Sequence, residues 1–271
     1  MRTDDVTDVT EPSPVLYQVD GAVATITFNR PDRMNALDLA TKEGLLAALQ
    51  TAAGDDTVRA VVLTGTGRAF CVGQDLREHA DNLLHGGDVS TTVRRHYNPI
   101  TLAITTMAKP VLAAVNGVAA GAGAGFAFAC DLRIAADTAA FNMAFAGVAL
   151  NADSGTSWTL PNLVGRAKAL ELLLLPETIP VAKAAELGLV TEIVPAAELA
   201  GRAAALAAKL AAGPTVCYAS LKESVAYSAA HSLPETLEFE DAMQTRCGQT
   251  KDHLEAVQAF LAKRPPEFLG A

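Results

Sequence analysis

The chain has 271 residues and a formal net charge of −9; half of its residues are hydrophobic and 19% are charged. This composition is typical of a globular protein with a sizeable core and excludes general disorder. The acidic balance argues against a nucleic-acid-binding surface, which would need a basic patch, but a local cationic patch for a phosphorylated ligand remains compatible with it.

Several other features narrow the class of protein. The cysteines at 71, 130, 217 and 247 are far apart and form no CxxC pair, which favours a reduced, cytoplasmic chain. The five histidines show no HExxH-like spacing, so we expect no metal site. No apolar run approaches the roughly 20 residues that a membrane-spanning helix needs. Residues 1–14 are polar and acidic without a signal peptide's apolar core, and we expect a disordered tail there.

The first half of the chain alternates between strand and helix patterns. Alternating residues 15–19 and 22–28 around Asp20-Gly21 predict a hairpin. Asp38 is expected to cap a helix that runs to about residue 53, and residues 60–64 form a short buried strand.

The polar segment 76–98 predicts a mobile loop, followed by a helix from about Thr91. A strand over 111–115 then turns at Asn116-Gly117 into a helix that reaches Ala129.

Further strands and helices follow to about residue 195 in the same rhythm. The predicted strands are 132–135 and 140–141, and the predicted helices begin at Ser154 and cover 167–175 and 182–187. Strands that alternate with helices over 15–195 predict an α/β fold. The predicted organisation is a tail over 1–14, a core over 15–198 and a helical region over 199–271.

Two glycine-containing turns follow predicted strands, one over residues 68–75 and one over residues 116–125. Small residues let a ligand approach the backbone closely, and a helix N-terminus offers unpaired N–H groups. One N–H from each turn could converge on a carbonyl oxygen and form an oxyanion hole. The alternatives are tight helix packing for the second turn and an ordinary turn glycine at Gly73. A dinucleotide-binding loop is disfavoured because no acidic residue follows a second strand at the right place.

Asp153 is the one carboxylate well placed to enter a pocket built by the apolar stretches 111–130 and 141–150. A lone carboxylate in a dry pocket is suited to carrying a proton. The alternative is structural, because Asp-Ser-Gly before a helix is ordinary N-cap chemistry. The two roles read alike in sequence.

At these residues the chain resembles the crotonase (enoyl-CoA hydratase/isomerase) superfamily, from Val15 to Phe268. Each matching piece is short, but their order and spacing together are specific. The pieces are 28–31 with 35–37, 69–75, 109–117, 129–131, 185–190 and 255–264.

The resemblance implies a crotonase-like spiral of strand-strand-helix units with a C-terminal helical region that trimerises, as a homotrimer or a dimer of trimers. It implies an acyl-CoA substrate with no further cofactor, and it places the oxyanion hole on the backbone N–H groups of Gln74 and Ala122. The implied substrate-binding residues are Arg33 and Met34 near the adenosine, Cys71, Val72, Gly73 and Gly121 along the backbone, Phe145 and Trp158 as acyl-pocket walls, and Phe260 and Lys263 from a neighbouring subunit. A solvated cation at a helix end is the alternative for Lys263.

The departures from the family pattern concern the catalytic acids. Hydratases of the superfamily use two glutamates, and this chain has Gly125 and Phe145 at those positions. Residues 143–145, 153–155 and 160–167 look like the ring-1,2-epoxyphenylacetyl-CoA isomerase group of phenylacetate degradation. That group lacks both glutamates and is thought to use the aspartate that corresponds to Asp153, although here Ala152 replaces the preceding proline.

The resemblance therefore implies that Asp153 shifts a double bond of an unsaturated acyl-CoA or helps to rearrange an epoxide. Two alternatives stay open. One is a hydratase with an atypical base or a water molecule held by Asn151 or Ser154. The other is a non-catalytic acyl-CoA-binding protein in which Asp153 only caps a helix.

Overall fold

The structure is a computed structural model and describes residues 13–85 and 91–271. The predicted tail therefore lies almost entirely outside the described residues. The strands are β1 (Val15–Asp20), β2 (Val23–Phe28), β3 (Ala60–Gly65), β4 (Ala69–Cys71), β5 (Val111–Val115), β6 (Val118–Ala120), β7 (Leu132–Ala136), β8 (Ala140–Asn142), β9 (Ile179–Pro180) and β10 (Glu192–Val194). The helices are α1 (Leu39–Gly54), α2 (Leu76–Leu84), α3 (Asn98–Thr105), α4 (Ala122–Ala129), α5 (Thr156–Val164), α6 (Arg166–Leu174), α7 (Val181–Glu186), α8 (Leu199–Ala211), α9 (Thr215–Ser228), α10 (Leu233–Gly248) and α11 (Lys251–Ala262).

The strands form two sheets. The larger has the order β1-β2-β3-β5-β7-β10, and the smaller has the order β4-β6-β8-β9. The predicted hairpin is confirmed, since β1 and β2 pair antiparallel around Asp20 and Val23. All other pairs in the larger sheet are parallel, as are β4-β6 and β6-β8 in the smaller one. The predicted α/β class is confirmed.

The chain visits the two sheets alternately, which is the predicted strand-strand-helix rhythm. β3 enters the larger sheet and β4 the smaller one before α2; β5, β6 and α4 repeat this order, and so do β7, β8 and α5. Because β4 and β6 are parallel neighbours, with Cys71 opposite Ala119, the turns that follow them leave the sheet side by side. This topology creates the site described below.

The helix predicted after Asp38 is confirmed as α1. Asp38 accepts a hydrogen bond from the Thr41 N–H at 2.9 Å, and α1 buries Leu45 and Leu49 against the sheet. The core is built mainly of such aliphatic residues and alanines from both sheets and from the buried faces of the helices.

Two predicted elements need correction. The helix expected directly after Asn116-Gly117 begins only at Ala122, because residues 118–120 pair with β4 and β8 as a strand. The alanine-rich composition of this segment does not indicate that strands lie on both sides of it. The loop expected over 76–98 contains α2, which Asp75 caps by accepting from the N–H groups of Arg77 and Glu78. Gly86 and Gly87 lie outside the described residues.

The first helix of the C-terminal region packs on the larger sheet. α8 contacts β3 and β5, and its residues Leu199, Ala203 and Ala207 belong to the hydrophobic core. Within the described ranges no single helix is long and apolar enough to cross a membrane; only the bent pair 196–211 and 215–228 would qualify by length and composition.

Candidate active site

A cavity of about 100 Å³ opens where the turns after β4 and β6 meet the segment before α5. Its floor is backbone of the two glycine turns, and most of its walls are apolar. The described residues that line it are Val72, Gly73, Gln74, Leu76, His79, Tyr97, Gly121, Ala122, Ala144, Phe145, Val148, Leu150 and Asp153. The structure thus brings Asp153 together with both amides that the sequence singled out.

The backbone of Gln74 and that of Ala122 are brought together by close contact of the two turns. Gly73 has φ +84°, and a Cβ on it would lie 3.2 Å from the Ala122 nitrogen and 2.9 Å from the Ala120 oxygen. Only glycine fits at this position, because of both the backbone angle and the space. Among the described residues, no protein acceptor takes a hydrogen bond from the N–H of Gln74 or of Ala122.

Neighbouring backbone fixes the direction of the Gln74 amide. The Leu37 N–H donates to the Gly73 oxygen at 2.8 Å, and the Asp75 N–H donates to the Leu37 oxygen at 3.1 Å. These two bonds hold the residues on both sides of Gln74 and leave its own N–H free to bind a ligand. Ala122 starts α4, where first-turn N–H groups have no intrahelical acceptor and carry partial positive charge. The arrangement can bind a developing oxyanion.

Asp153 sits in an unusual backbone segment. Ser154 and Gly155 both have positive φ, +53° and +72°, so the chain turns sharply between Asp153 and the start of α5. The Thr156 N–H donates to the Asp153 backbone oxygen at 2.9 Å. The N-cap of α5 is Gly155, and no side chain caps this helix. The carboxylate of Asp153 therefore does not serve as the helix cap that the structural alternative required.

The electrostatics of Asp153 suit proton transfer. Burial raises the pKa of its carboxyl to about 6, and a 2.9 Å hydrogen bond from the Ser154 hydroxyl lowers it in part. A carboxyl with this pKa is ionised near neutral pH and is a stronger base than an ordinary aspartate. Of the described residues that line the cavity, Asp153 is the only carboxylate.

Of the two positions that the family resemblance assigns to the hydratase glutamates, residue 125 has no room for a side chain and residue 145 is apolar. A Cβ on Gly125 would lie 2.8 Å from the Ser154 Cβ and 2.7 Å from the Thr156 Oγ1. Phe145 is buried and forms an apolar wall of the cavity. The segment that carries Asp153 thus occupies the space that a side chain at residue 125 would need.

Tyr97 and His79 line the cavity but were not singled out in the sequence. The Tyr97 hydroxyl donates to the side-chain oxygen Oε1 of Gln74, and its ring packs edge-on against Phe126 at 5.9 Å. Helical spacing of Tyr97 with the buried Ile100 and Ile104 could have marked this tyrosine as inward-facing. Nothing in the local sequence distinguishes it from a core residue, however.

Trp158 is not a wall of the cavity, contrary to the prediction. It is 53% exposed, because the buried face of α5 is made by Thr156, Thr159 and Leu160. Trp158 is two residues after Thr156 and so faces the opposite side of the helix. Of the two predicted walls only Phe145 lines the cavity, and Val148 and Leu150 line it as well.

The remaining predicted substrate-binding residues lie at varying distances from the cavity. Val72, Gly73 and Gly121 line it, whereas Cys71 is fully buried in β4, and burial raises the pKa of its thiol to about 12. Arg33 ends an exposed turn and is followed by Met34 with φ +54°.

Phe260 and Lys263 lie on and just after α11, where Phe260 is 82% exposed. Neither residue lines the cavity of its own chain. Their contribution from a neighbouring subunit stays a prediction.

Comparison with known proteins agrees with this architecture. The enoyl-CoA hydratase/isomerase family model matches residues 18–271. A probable enoyl-CoA hydratase of Rhodobacter capsulatus is 44% identical over 94% of this chain and 98% of its own length. The 1,2-epoxyphenylacetyl-CoA isomerase of Escherichia coli is 40% identical over the same shares.

Among solved structures, a protein described as a putative enoyl-CoA hydratase/isomerase from Mycobacterium abscessus superposes with a TM-score of 0.90 at 44% identity, covering 95% of this chain and all of that one. The matches in sequence and in structure extend over nearly the whole chain. The chain belongs to the enoyl-CoA hydratase/isomerase family and has the crotonase fold.

Proposed function

We propose that this enzyme isomerises an unsaturated acyl-CoA with Asp153 as its single base. The observation that carries the proposal is the lone Asp153 carboxylate, with its raised pKa, in one cavity with the free amides of Gln74 and Ala122. A proton shuttle needs one such group, whereas hydration by the family's paired acids needs two.

The reaction would begin when the thioester oxygen accepts hydrogen bonds from the amides of Gln74 and Ala122. Asp153 removes a proton from the α-carbon of a 3-enoyl thioester, and the electron pair delocalises over the carbonyl and the double bond. The protonated Asp153 returns the proton at the γ-carbon, which gives the 2-enoyl thioester. Each oxyanion donor contributes on the order of 3 kcal/mol to transition-state stabilisation, and the base contributes roughly 10²- to 10⁴-fold in rate.

A more specialised reaction is the rearrangement of an epoxide on an aromatic acyl-CoA, which the name of the Escherichia coli relative suggests. The same oxyanion hole would stabilise the enolate in either case. We place the substrate's CoA portion near Arg33 and Met34, with Phe260 and Lys263 of a neighbouring chain. Exposed apolar residues on the C-terminal helices, Leu221 and Val225 among them, support assembly as a trimer or a dimer of trimers.

Hydration is less well supported, although the Rhodobacter capsulatus relative is called a probable hydratase. Ser154 is fully buried and its hydroxyl already donates to Asp153, so it is poorly placed to hold a water molecule for attack. Asn151 is exposed and donates to the Ala152 oxygen. A non-catalytic role required Asp153 as a helix cap, and the cap of α5 is Gly155.

The decisive experiment is turnover of 3-enoyl-CoA, 2-enoyl-CoA and epoxidised phenylacetyl-CoA by the wild type and by Asp153→Asn. We expect the wild type to isomerise the 3-enoyl or the epoxide substrate, and the variant to lose at least about 100-fold in kcat. Asp20→Asn changes an exposed hairpin carboxylate that does not line the cavity; it is the matched control and should keep full activity. Undiminished turnover by Asp153→Asn, or robust hydration of 2-enoyl-CoA, would contradict the proposal.

A further inference from the structure

Gln74 has a side chain that the proposed reaction does not use, and it points to Tyr97. Its Oε1 accepts the Tyr97 hydroxyl hydrogen, while its backbone N–H belongs to the candidate oxyanion hole. Tyr97 is 2% exposed and is the last residue of a π-helical turn (Val93–Tyr97) that leads into α3. One residue therefore connects the oxyanion hole to a buried phenol in the cavity wall.

The ring of Tyr97 is held in place independently of Gln74. It packs edge-on against Phe126 of α4, with ring centroids 5.9 Å apart and planes at 74°. Ile100, about one helical turn further along the chain, is fully buried. The freedom left to Tyr97 is mainly the direction of its O–H bond, and the Gln74 oxygen sets that direction.

Tyr97 and Asp153 line the same cavity and interact electrostatically. Burial raises the pKa of the Tyr97 phenol, and the negative charge of Asp153 raises it further. The phenol therefore stays protonated and remains a hydrogen-bond donor at any pH at which the enzyme is active. The Gln74 oxygen and the Asp153 carboxylate are the two acceptors in this cavity that the Tyr97 hydroxyl could serve.

The choice of acceptor matters for the base. A hydrogen bond from a phenol to a carboxylate stabilises the anion and lowers its pKa, which weakens it as a base. Asp153 now accepts one side-chain hydrogen bond, from Ser154 at 2.9 Å. A second one, from Tyr97, would remove part of the basicity that burial provides.

We propose that Gln74 is a positioning residue for the base: its side-chain oxygen holds the Tyr97 hydroxyl and so keeps it from donating to Asp153. This inference rests on the proposed function, because it matters for catalysis only if Asp153 is the base. The hydrogen-bond choice itself is a property of the ligand-free protein and can be measured without turnover.

An observed titration must be assigned to Asp153 rather than to other titratable groups near Tyr97 and Asp153. His79 lines the same cavity, so a kinetic pH profile alone does not identify the titrating group. Negative charge on Glu78 or on Cys71 also raises the pKa of Tyr97. The Glu78 carboxylate is paired with Lys42 at 3.1 Å, and the buried Cys71 thiol stays protonated.

The test is an NMR titration of the Asp153 carboxyl in protein labelled with ¹³C at aspartate side-chain carboxyls, assigned by loss of its signal in Asp153→Asn. Gln74→Met keeps the backbone amide and the approximate side-chain size but removes the acceptor oxygen. We expect it to move the Asp153 midpoint down by about one pH unit, because Tyr97 then donates to Asp153. Tyr97→Phe should leave the midpoint of the wild type in place, since the hydroxyl is directed elsewhere.

The double variant Gln74→Met with Tyr97→Phe should restore the wild-type midpoint, because no hydroxyl is left to reach Asp153. A midpoint that does not move in Gln74→Met, or a shift that persists in the double variant, would overturn the proposal. A rise of the midpoint in Tyr97→Phe alone would also overturn it, because the phenol would then already donate to Asp153. If Gln74→Met does not fold, Gln74→Leu, which also lacks the acceptor oxygen, takes its place in the same comparison. Loss of the proposed function would instead appear as an active Asp153→Asn.

Discussion

Gly125 packs directly against Ser154: a Cβ on Gly125 would lie 2.8 Å from the Ser154 Cβ. The lack of a glutamate at position 125 and the position of Asp153 in the cavity therefore have the same structural cause. The backbone that presents Asp153 to the cavity fits only if residue 125 has no side chain. Moving a carboxylate to position 125 and keeping Asp153 where it is are mutually exclusive in this backbone.

Gly125→Ala should destabilise the protein and displace Asp153. The added methyl group overlaps Thr156 Oγ1 and Ser154, and overpacking of this kind costs about 1–3 kcal/mol. We also expect kcat to fall, because the loop that carries the base must move. Gly201→Ala, in α8 with nothing within 4 Å of the new Cβ, is the control and should raise stability by up to about 1 kcal/mol. Urea unfolding measures the stability of the two variants, and isomerase assays measure their kcat. Equal stability and equal kcat of the two variants would contradict the packing argument.

Gly73→Ala tests the contact between the two turns. The new Cβ would press on the Ala120 oxygen at 2.9 Å and the Ala122 nitrogen at 3.2 Å, which separates the two amides. We expect kcat to fall by roughly 10²- to 10³-fold, the usual effect of losing one oxyanion donor. Gly21→Ala has a similar positive φ, +56°, but open space around it, so it should cost stability while sparing kcat. A Gly73→Ala enzyme with wild-type kcat would argue against the oxyanion hole.

The pH dependence of isomerisation should follow the ionisation of Asp153. Only the carboxylate can accept the α-proton, and its pKa is raised to about 6 by burial. The value of kcat/KM should therefore be constant above pH 7 and fall as the pH drops through 6, tenfold per pH unit below it. Measuring the profile from pH 4.5 to 8, together with the Asp153 midpoint from the NMR titration, checks this; a profile that stays flat down to about pH 5 would show that Asp153 is not desolvated.

Ser154→Ala should move the acidic limb of the kcat/KM profile to higher pH. The Ser154 hydroxyl donates to the carboxylate at 2.9 Å and lowers the pKa of Asp153, so its loss raises the pKa further. The variant should be less active at pH 6 yet close to the wild type at pH 8. A limb that moves to lower pH would contradict the assigned hydrogen bond.

Asp153→Asn should stabilise the fold near neutral pH. With a pKa of 3.8 unfolded and about 6 folded, the native state binds more protons between these values, and the free energy of unfolding falls as the pH rises through this window. The amide removes this penalty, which is on the order of 2 kcal/mol at pH 7 for a partly exposed group, and the gain should vanish below about pH 4. Thermal melts of Asp153→Asn and Asp20→Asn at both pH values test the sign. A variant less stable than the wild type at pH 7 would contradict it.

Much of the local structure is determined by local sequence. The hairpin around Asp20-Gly21, the Asp38 cap of α1 and the strand over 111–115 depend on turn chemistry, capping and burial of a few neighbouring residues. The helix predicted from Gly117 failed because residues 118–120 find strand partners that are distant in sequence. The α2 helix was missed because the polar composition of residues 76–98 was interpreted as a loop.

For the site, the sequence by itself determined the inventory: two glycine turns, a lone Asp153, and no glutamate at 125 or 145. Tertiary structure decided where these residues lie relative to one another. The parallel pairing of β4 with β6 joined the two turns, and the sharp turn at Ser154 and Gly155 gave the cap of α5 to Gly155 rather than Asp153. Burial and cavity membership depend on contacts between distant segments, so no local pattern could have placed Tyr97 inside the cavity and Trp158 outside it.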